Sequence, residues 1–252
     1  MAKSIIEVKN LKKDYGDTKA VDGISFSVAE NEIFGILGPN GAGKTTTFEM
    51  IEGLRKADSG SIEVAGINSQ KHPKKVKEVI GVQLQSSEMF DHLSLFELVN
   101  LYGRFYKREV DAIELLDRVN LEDKKDSEAQ QLSGGQKQRL SIAMALVNDP
   151  KVLFLDEPST GLDPQARRNL WELIKEIRDQ GKTILLTTHY MDEAEYLCDR
   201  IAVMDGGKII SLDTPDTLIN DLLERGFKKE VEVKPANLED VFIDLTGRKL
   251  RD

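Results

Sequence analysis

The sequence has 252 residues, of which 40% are hydrophobic and 31% charged, a composition typical of a globular protein that buries a full core. The formal net charge of −9 argues against binding to a nucleic-acid backbone, because proteins that do so carry a basic stripe. The longest apolar runs, such as VLFL and TILL, fall far below the ~20 residues that cross a bilayer. The single cysteine, Cys198, cannot form an intramolecular disulfide, so we expect a reducing, cytoplasmic setting.

The N-terminal part is predicted to be rich in strands. SIIEVKNL and GISFSVA alternate apolar and polar residues, and EIFGIL is an apolar run that leads into a glycine-rich loop. After this loop, TTFEMIEGLR has helical spacing and SGSIEVAG is predicted to form a strand bounded by glycines. KKVKEVIGVQLQ then predicts a helix end followed by a strand.

A helical insert is predicted from Ser86 to about Leu146, where apolar residues recur three and four apart and strand signals vanish. Strands are predicted again at KVLFL, TILLTT and RIAVM, separated by helices at ARRNLWELIKEIRDQ and MDEAEYLC. This alternation predicts an α/β fold with a parallel core. A last segment, NLEDVFIDLTG, also has helical spacing. We expect one domain over residues 1–252, made of a core (1–85 and 147–211), the insert (86–146) and a short C-terminal tail (212–252).

The stretch GPNGAGKT, Gly38–Thr45, lies between a predicted strand and a predicted helix, which is the context of a phosphate-binding P-loop. Its glycines let backbone amides face phosphate oxygens, Lys44 supplies charge to the β- and γ-phosphates, and the hydroxyl of Thr45 can bind Mg²⁺. The helix N-terminus adds its positive end. A glycine-rich turn without a ligand is the alternative, which the flanking strand and helix disfavour. The sequence therefore predicts binding of a nucleoside triphosphate.

Two strand ends carry polar side chains that suit this ligand. VLFLDEPSTGLDP places Asp156 at the C-terminal end of a buried strand, the edge where α/β sheets bind ligands. Asp156 would hold Mg²⁺ beside Thr45, and Glu157, facing away from it, could orient or deprotonate a water. The alternative is that the two carboxylates only cap the following helix. His189, which follows TILLTT, could bind the γ-phosphate or hold the attacking water, the alternative being a satisfied histidine at a strand end.

Two further side chains are open to two interpretations each. Gln85 lies where the strand VIGVQLQ gives way to the insert, and its carboxamide can bind a metal weakly. Gln83, on the same face of that strand, is the alternative. Tyr15, in the loop before the core, could stack on a nucleotide base, but a lone tyrosine beside a glycine is equally typical of a protein surface.

The stretch LSGGQKQRL is a second candidate anion site. Ser133 occupies an N-cap position, Gly134 and Gly135 let a ligand approach the backbone, and the run from Gln136 onward predicts a helix. A triphosphate already held by Gly38–Thr45 has little need of a second cradle from the same chain. The second cradle is therefore predicted to serve the nucleotide of another chain.

With these motifs together, the chain resembles the nucleotide-binding subunit of an ABC transporter from about Ile6 to Gly247. GPNGAGKT is similar to its Walker A motif, LSGGQ to its signature motif, VLFLDEP to its Walker B motif, STGLD to its D-loop and LTTHYMDEAE to its histidine switch. The resemblance implies a RecA-like P-loop core, an N-terminal antiparallel β layer and an inserted helical subdomain that carries the signature. It also implies a head-to-tail dimer of identical or paired subunits, in which the signature of one subunit closes on the Walker A nucleotide of the other.

The resemblance further implies roles for individual residues. Glu157 corresponds to the general base, His189 to the γ-phosphate switch and Gln85 to the Q-loop glutamine, which makes these three the expected catalytic residues. Mg²⁺ is expected on Thr45, Gln85 and Asp156. The residues expected to bind ATP, including the adenine-stacking Tyr15 and the D-loop aspartate Asp163, are Tyr15, Gly38, Pro39, Asn40, Gly41, Ala42, Gly43, Lys44, Thr45, Thr46, Ser133, Gly134, Gly135, Gln136 and Asp163.

The function implied by the resemblance is an ATPase that powers a membrane permease from the cytoplasmic face of the membrane, without a nucleic-acid partner. GAGKTTTFEMIEGL, THYMDEAEYLCDRIAVMDGGKI and LEDVFIDLTG resemble ATPases of bacterial multidrug or antibiotic exporters of the daunorubicin-resistance type. An importer ATPase is one alternative, and an ABC-fold ATPase acting on nucleic acid or ribosomes is another.

A groove near Ser86–Phe96 is expected to receive a cytoplasmic helix of the permease. Phe90, Leu93, Leu95 and Phe96 are the candidates for this groove, and core packing within the insert explains them equally well.

Overall fold

The computed structural model describes residues 3–83, 92–227 and 244–245. Its strands in chain order are β1 (Ser4–Tyr15), β2 (Thr18–Ala29), β3 (Ile33–Leu37), β4 (Ser59–Val64), β5 (Ile67–Asn68), β6 (Ile80–Gln83), β7 (Val152–Asp156), β8 (Thr183–Thr188), β9 (Arg200–Asp205) and β10 (Lys208–Asp213). Its α-helices are α1 (Lys44–Ile51), α2 (Pro73–Lys77), α3 (Leu95–Phe105), α4 (Ala112–Arg118), α5 (Gly134–Leu146), α6 (Pro164–Asp179), α7 (Met191–Leu197) and α8 (Pro215–Glu224).

The described strands form two sheets. An antiparallel sheet has the order β2-β1-β4-β5, and a larger sheet has the order β10-β9-β3-β8-β7-β6. In the larger sheet β6, β7, β8, β3 and β9 run parallel, whereas β10 pairs with β9 antiparallel. The N-terminal end of α1 and the loops after β7 and β8 therefore meet at the C-terminal edge of one parallel sheet, which is where open α/β sheets bind ligands.

The central strands of the larger sheet, β3, β7 and β8, are buried on both faces, which explains their continuous apolar runs. Along β7, Phe154 contacts the cluster beneath the antiparallel sheet, while Leu153 and Leu155 face the cluster formed with α5, α6, α7 and the insert. Phe154 meets Phe48 of α1 edge to face, with ring centroids 5.4 Å apart. The core thus holds α1, which begins at Lys44, against β7, which ends at Asp156.

Helix α5 closely approaches the sheet near its C-terminal end and helix α6 near its N-terminal end. A Cβ atom on Gly81 of β6 would lie 1.9 Å from the carbonyl oxygen of Ala145, near the C-terminal end of α5. At the other end, a Cβ on Gly135 would lie 3.2 Å from the Cβ of Ala166 in α6. Larger residues at these two glycines would push the helix away from its neighbours.

The predicted α/β fold with a parallel core is confirmed, and the described part of the insert is helical as expected. The helix after the P-loop was predicted to reach Arg55 but ends at Ile51, because the backbone N–H groups of Leu54 and Arg55 both return to the carbonyl of Glu49. Strand β10, at the end of the predicted core, and helix α8, in the predicted C-terminal tail, were not predicted from the sequence. The predicted helix at NLEDVFIDLTG falls outside the described residues, apart from 244–245.

The chain divides into two compact units, Met1–Leu218 and Ile219–Asp252. All the site residues discussed below belong to the first unit. The longest helix among the described residues is α6, with 16 residues, and no helix in this part of the chain has both the length and the apolar character to cross a bilayer.

We predict that Phe154→Ala lowers the free energy of unfolding by about 3–5 kcal/mol, because it empties a fully buried position between the sheet and α1. Urea unfolding measures the change. Phe105→Ala is the matched control: its side chain is 63% exposed, so the loss is expected to stay below about 1 kcal/mol. Equal losses in the two variants would contradict this account of the core.

Candidate functional site

The P-loop, Gly38–Thr45, follows β3 and includes the first two residues of α1. Gly43 has φ +101°, and a Cβ atom there would lie 2.2 Å from the carbonyl oxygen of Ala20, so only glycine fits. The side chain of Lys44 is nearly buried, and its Nζ donates to the carbonyl oxygens of Gly38 (2.8 Å) and Pro39 (3.2 Å). The loop therefore holds an ammonium group at the positive end of a helix, an arrangement that attracts anions.

The ends of β7 and β8 are joined through Thr187. Its hydroxyl donates to the carboxylate of Asp156 and accepts from the backbone N–H of Glu157 at 3.1 Å. Burial raises the pKa of Asp156 above the usual range of a carboxyl group, and the hydrogen bond from Thr187 opposes this rise. The alternative that Asp156 and Glu157 cap the next helix is wrong, because Asp163 occupies that position and accepts from the N–H of Ala166 at 2.8 Å.

Glu157 brings three separate segments together. Its Oε1 lies 3.7 Å from the Nζ of Lys44 and 3.3 Å from the Nδ1 of His189, while the hydroxyl of Thr160 donates to its Oε2 at 3.4 Å. The residue has φ +49°, a left-handed conformation that is uncommon for a residue with a side chain. This turn of the backbone, rather than simple strand alternation, separates the Glu157 carboxylate from that of Asp156.

His189 follows β8, with its side chain 35% exposed. Its Nδ1 is buried and forms no hydrogen bond with any group that the structure describes, since the approach of Glu157 is within ion-pair distance but poorly aligned. The ring packs on Tyr190, with centroids 4.1 Å apart. A polar ring atom left in this state does not match the alternative of a satisfied histidine at a strand end.

These residues fit a nucleoside triphosphate with Mg²⁺. The P-loop supplies backbone amides and the ammonium of Lys44 for phosphate oxygens, and His189 supplies a polar atom with hydrogen-bonding capacity to spare. The hydroxyl of Thr45 and the carboxylate of Asp156 are the oxygen ligands that Mg²⁺ prefers. Within the described residues no cluster of three or more His, Cys, Asp or Glu side chains could hold a metal alone. Mg²⁺ commonly takes one or two protein oxygens and completes its shell with phosphates and water.

The second candidate anion site is the start of α5. Ser133 is its N-cap, as predicted: its hydroxyl accepts from the N–H of Gln136 at 3.3 Å, and Gln136 Oε1 accepts from the N–H of Ser133 at 2.9 Å. Ser133 and Gly134 are exposed, which leaves the helix start open to another molecule. The part played by Ser133, Gly134, Gly135 and Gln136 in binding another chain's nucleotide stays a prediction.

The roles of Tyr15 and Gln85, the two weaker candidates, both stay predictions. Tyr15 ends β1 rather than lying in a loop, and its ring is 42% exposed. The Nζ of Lys13 and the guanidinium carbon of Arg55 lie 5.6 and 5.3 Å from the ring centroid. Gln85 falls outside the described residues, while its alternative, Gln83, is buried at the end of β6. Stacking of Tyr15 on adenine stays a prediction.

A cavity of about 320 Å³ opens between the end of α1, strand β6 and helices α3 and α5. Most of its lining is apolar or aromatic, and the exceptions include one carboxyl group, that of Glu52. Burial raises the pKa of Glu52 to about 7, and the negative charges of Asp156 and Glu49 add to the rise. Leu54 at the rim is 54% exposed. The lining residues are Glu52, Leu54, Lys77, Ile80, Val82, Tyr102, Tyr106, Ser141, Met144 and Ala145.

The groove residues expected near Ser86–Phe96 separate into two groups. Leu95 is fully buried and Leu93 packs against the same cluster, so core packing accounts for both. Phe96 is 40% exposed on another surface depression, and Phe90 lies outside the described residues. The open apolar cavity at Glu52 was not foreseen, because its walls come from four segments distant in the sequence.

Sequence reasoning also missed Thr187 and Thr160, which hold the two carboxylates of the site. TILLTT does show two hydroxyl residues at the end of an otherwise apolar strand, and that polarity at a ligand edge was a usable signal. Thr160 gave no comparable signal, because a threonine in a polar loop is ordinary.

Comparisons with known proteins agree with this geometry. The sequence profile of the family described as "ABC transporter" matches residues 21–160. "Nod factor export ATP-binding protein I" of Burkholderia orbicola (strain AU 1054) is 38% identical in an alignment that covers both chains completely. Among solved structures, cbiO1 from Clostridium perfringens, part of the cbiONQ complex, has 33% identity and a TM-score of 0.79, with 88% of this chain and 94% of that chain covered. The ATP-binding cassette MJ0796, solved as a dimer in a post-hydrolysis state with ADP and Pi, has 28% identity and a TM-score of 0.73, with 83% and 98% covered.

The raised pKa of Glu52 gives a test of pH dependence. Below its ordinary pKa of 4.5 the Glu52 carboxyl is protonated in both the folded and the unfolded chain, so it does not change stability. Above about 7 it is charged in both, and burying this charge lowers the stability of the folded chain. Glu52→Gln should therefore gain on the order of 1–3 kcal/mol over the parent at pH 8, and much less near pH 5.

Urea unfolding of both proteins at the two pH values measures this difference. Glu176→Gln, at an exposed position of α6, is the control and should show the same difference from the parent at each pH. A gain from Glu52→Gln that does not grow with pH would contradict the buried, ionisable state of Glu52.

Proposed function

The chain belongs to the ABC transporter family of ATP-binding proteins, and on that premise we propose that it powers an exporter of hydrophobic compounds, drugs and antibiotics among them. As a member of this family it is an ATPase subunit of a transporter. The observation that carries the export direction is the 38% identity, over both full lengths, to a protein named as an export ATP-binding protein. The hydrophobic class of cargo is our extension, supported by the resemblance of the motifs to multidrug and antibiotic exporters.

The chemistry that we propose is hydrolysis of ATP with Glu157 as the base. Its carboxylate lies between Lys44 and His189, so it can accept a proton from a water beside the γ-phosphate while both neighbours bind phosphate oxygens. Bound Mg²⁺, held by Thr45 and Asp156 and by Gln85, would neutralise phosphate charge. The P-loop residues from Gly38 to Thr46 cradle the phosphates.

We infer that two cassettes close head to tail on two nucleotides. The exposed, capped start of α5 can then offer Ser133, Gly134, Gly135 and Gln136 to the nucleotide held by the other cassette. Asp163 is exposed at the start of α6 on the same side, where Gly135 contacts Ala166. The two cassettes are either identical copies or paired chains. Dimeric association of the MJ0796 cassette supports this arrangement.

The permease is proposed to dock in the cavity at Glu52 and so hold the chain at the cytoplasmic face of the membrane. The cavity offers an apolar surface, a buried carboxyl group and the end of the helix that starts at Lys44. A short amphipathic helix fits such a groove through its apolar face, and a basic side chain on it would pair with Glu52. The groove predicted near Ser86–Phe96 lies largely outside the described residues and stays a prediction beside this proposal.

We predict that Glu157→Gln leaves ATP binding intact and lowers turnover by on the order of 10²–10⁴, the range typical of a lost general base. ATPase assays and nucleotide-binding titrations measure the two effects. Glu176→Gln serves as a control, since it makes the same change at an exposed position outside the site. Near-normal turnover of the Glu157 variant would remove this residue from the role.

The transport partner is tested by pulling a tagged Glu157→Gln chain from detergent-solubilised membranes of the native cell in MgATP. Mass spectrometry should identify a permease, which Leu54→Asp at the cavity rim should lose while still binding ATP. Ile210→Asp, at another exposed apolar position, should keep it. Cargo flux in vesicles made with that permease then gives the direction, and uptake would overturn export. A complex with RNA or DNA and no membrane protein would overturn the transport role.

A further inference from the structure

Helices α6 and α7 are joined along one face of α6 by side chains spaced one turn apart. Trp171 is largely buried, its Nε1 donates to Glu193 Oε1 at 3.0 Å, and its ring stacks on Tyr196 with centroids 5.2 Å apart. The Nζ of Lys175 lies 3.5 Å from the centroid of the same Tyr196 ring. Residues four apart on a helix share a face, so these contacts form one continuous seam.

Arg167 forms the end of this seam that is nearest the candidate site. Its guanidinium carbon lies 4.6 Å from the centroid of the Tyr190 ring, and its Nη1 lies 3.2 Å from Asp192 Oδ2. Tyr190 is the N-cap residue of α7, and Asp192 is in its first turn. Arg167 of α6 therefore contacts the start of α7 at two places, the ring of Tyr190 and the carboxylate of Asp192. A planar guanidinium can stack on a ring and pair with a carboxylate together, which an ammonium does less well.

The contacts of Arg167 continue into the site. Tyr190 packs on the ring of His189, whose Nδ1 faces Glu157, and Glu157 in turn accepts from Thr160. Thr160 is in the segment that ends at Asp163, the N-cap of α6. The backbone N–H of Arg167, one turn later, donates to the carbonyl oxygen of Asp163. These contacts make a closed circuit through two loops and two helices.

The circuit also touches the start of α5. Gly135 approaches Ala166, the residue before Arg167, closely enough that a Cβ atom on the glycine would lie 3.2 Å from that of the alanine. The segment that Arg167 holds is thus packed against the signature stretch LSGGQ.

We propose that Arg167 is a positioning residue that holds His189 against Glu157 through the ring of Tyr190, and that it couples this geometry to the segment Thr160–Asp163. The inference rests on the proposed function, because it is that function which places a γ-phosphate beside His189. In a head-to-tail pair the segment Thr160–Asp163 faces the other cassette. Through Arg167, the approach of the other cassette would then set the position of the His189 imidazole in the site of this chain. The rival explanation is that Arg167 only stabilises the contact between α6 and α7.

The test is ATPase kinetics of Arg167→Ala. Loss of the guanidinium frees Tyr190 and with it the imidazole, so kcat should fall on the order of tenfold or more while KM for ATP changes less than about twofold. Arg168→Ala, the exposed neighbour on α6, should keep parental kinetics. Tyr190→Phe should also keep them, since only the ring face is used, and Tyr190→Ala should match Arg167→Ala. A parental kcat in Arg167→Ala, or a rise in KM alone, would overturn the inference.

A double-mutant cycle separates positioning from a general loss of stability. If Arg167 acts through His189, the variant with both Arg167→Ala and His189→Ala should be no slower than His189→Ala alone. Losses that multiply would show that Arg167 acts independently, and the inference would fail. If His189→Ala itself keeps parental turnover, the proposed function of His189 fails first. If His189→Ala is slow but Arg167→Ala is normal, only the present inference fails.

Discussion

The carboxylate of Glu157 is the point on which the site depends, because it contacts all three of the converging segments that the structure describes. It reaches the P-loop through Lys44, the end of β8 through His189 and its own loop through Thr160. Because its Oε1 lies 3.7 Å from the Nζ of Lys44 and 3.3 Å from the Nδ1 of His189, the carboxylate keeps both groups within reach of one ligand. Moving any of the three segments would loosen the other two. The left-handed backbone at Glu157 is the local conformation that makes this meeting possible.

The sheet explains why these segments meet at all. In a parallel sheet every strand ends at the same edge, so β3, β7 and β8 deliver the P-loop, Asp156 and His189 to one place although they are far apart in the sequence. Backbone pairing sets the register of β7 and β3 against β8, and the hydroxyl of Thr187 joins the ends of β7 and β8. The chemistry of the site is therefore local, whereas its geometry is a property of the whole core.

Much of this was predictable from the sequence. The positions of Lys44, Asp156 and Ser133 follow from local patterns in the sequence. Lys44 comes after a glycine-rich loop, Asp156 ends an apolar strand and Ser133 precedes a helix. The position of Glu157 was not fully predictable, since period-two alternation ends with the strand and says nothing of the left-handed turn after it. The cavity at Glu52 and the grip of Arg167 on Tyr190 depend on packing between distant segments, which periodicity within one segment does not encode. Leu95 shows the same limit, because helical spacing did not distinguish a core residue from a docking one.

The close contacts near both ends of α5 give that helix a mechanical character. Near the C-terminal end, Ala145 lies against Gly81 of β6, beside the cavity, and near the N-terminal end Gly135 lies against Ala166. A helix of 13 residues is about 20 Å long and resists compression along its axis because each turn is braced by the next. The helix thus connects the wall of the cavity to the signature stretch, with a close contact near each of its ends. If β6 were displaced, its close contact with Ala145 would favour movement of α5 as a whole, and Ser133 at the other end of the helix would be expected to move with it.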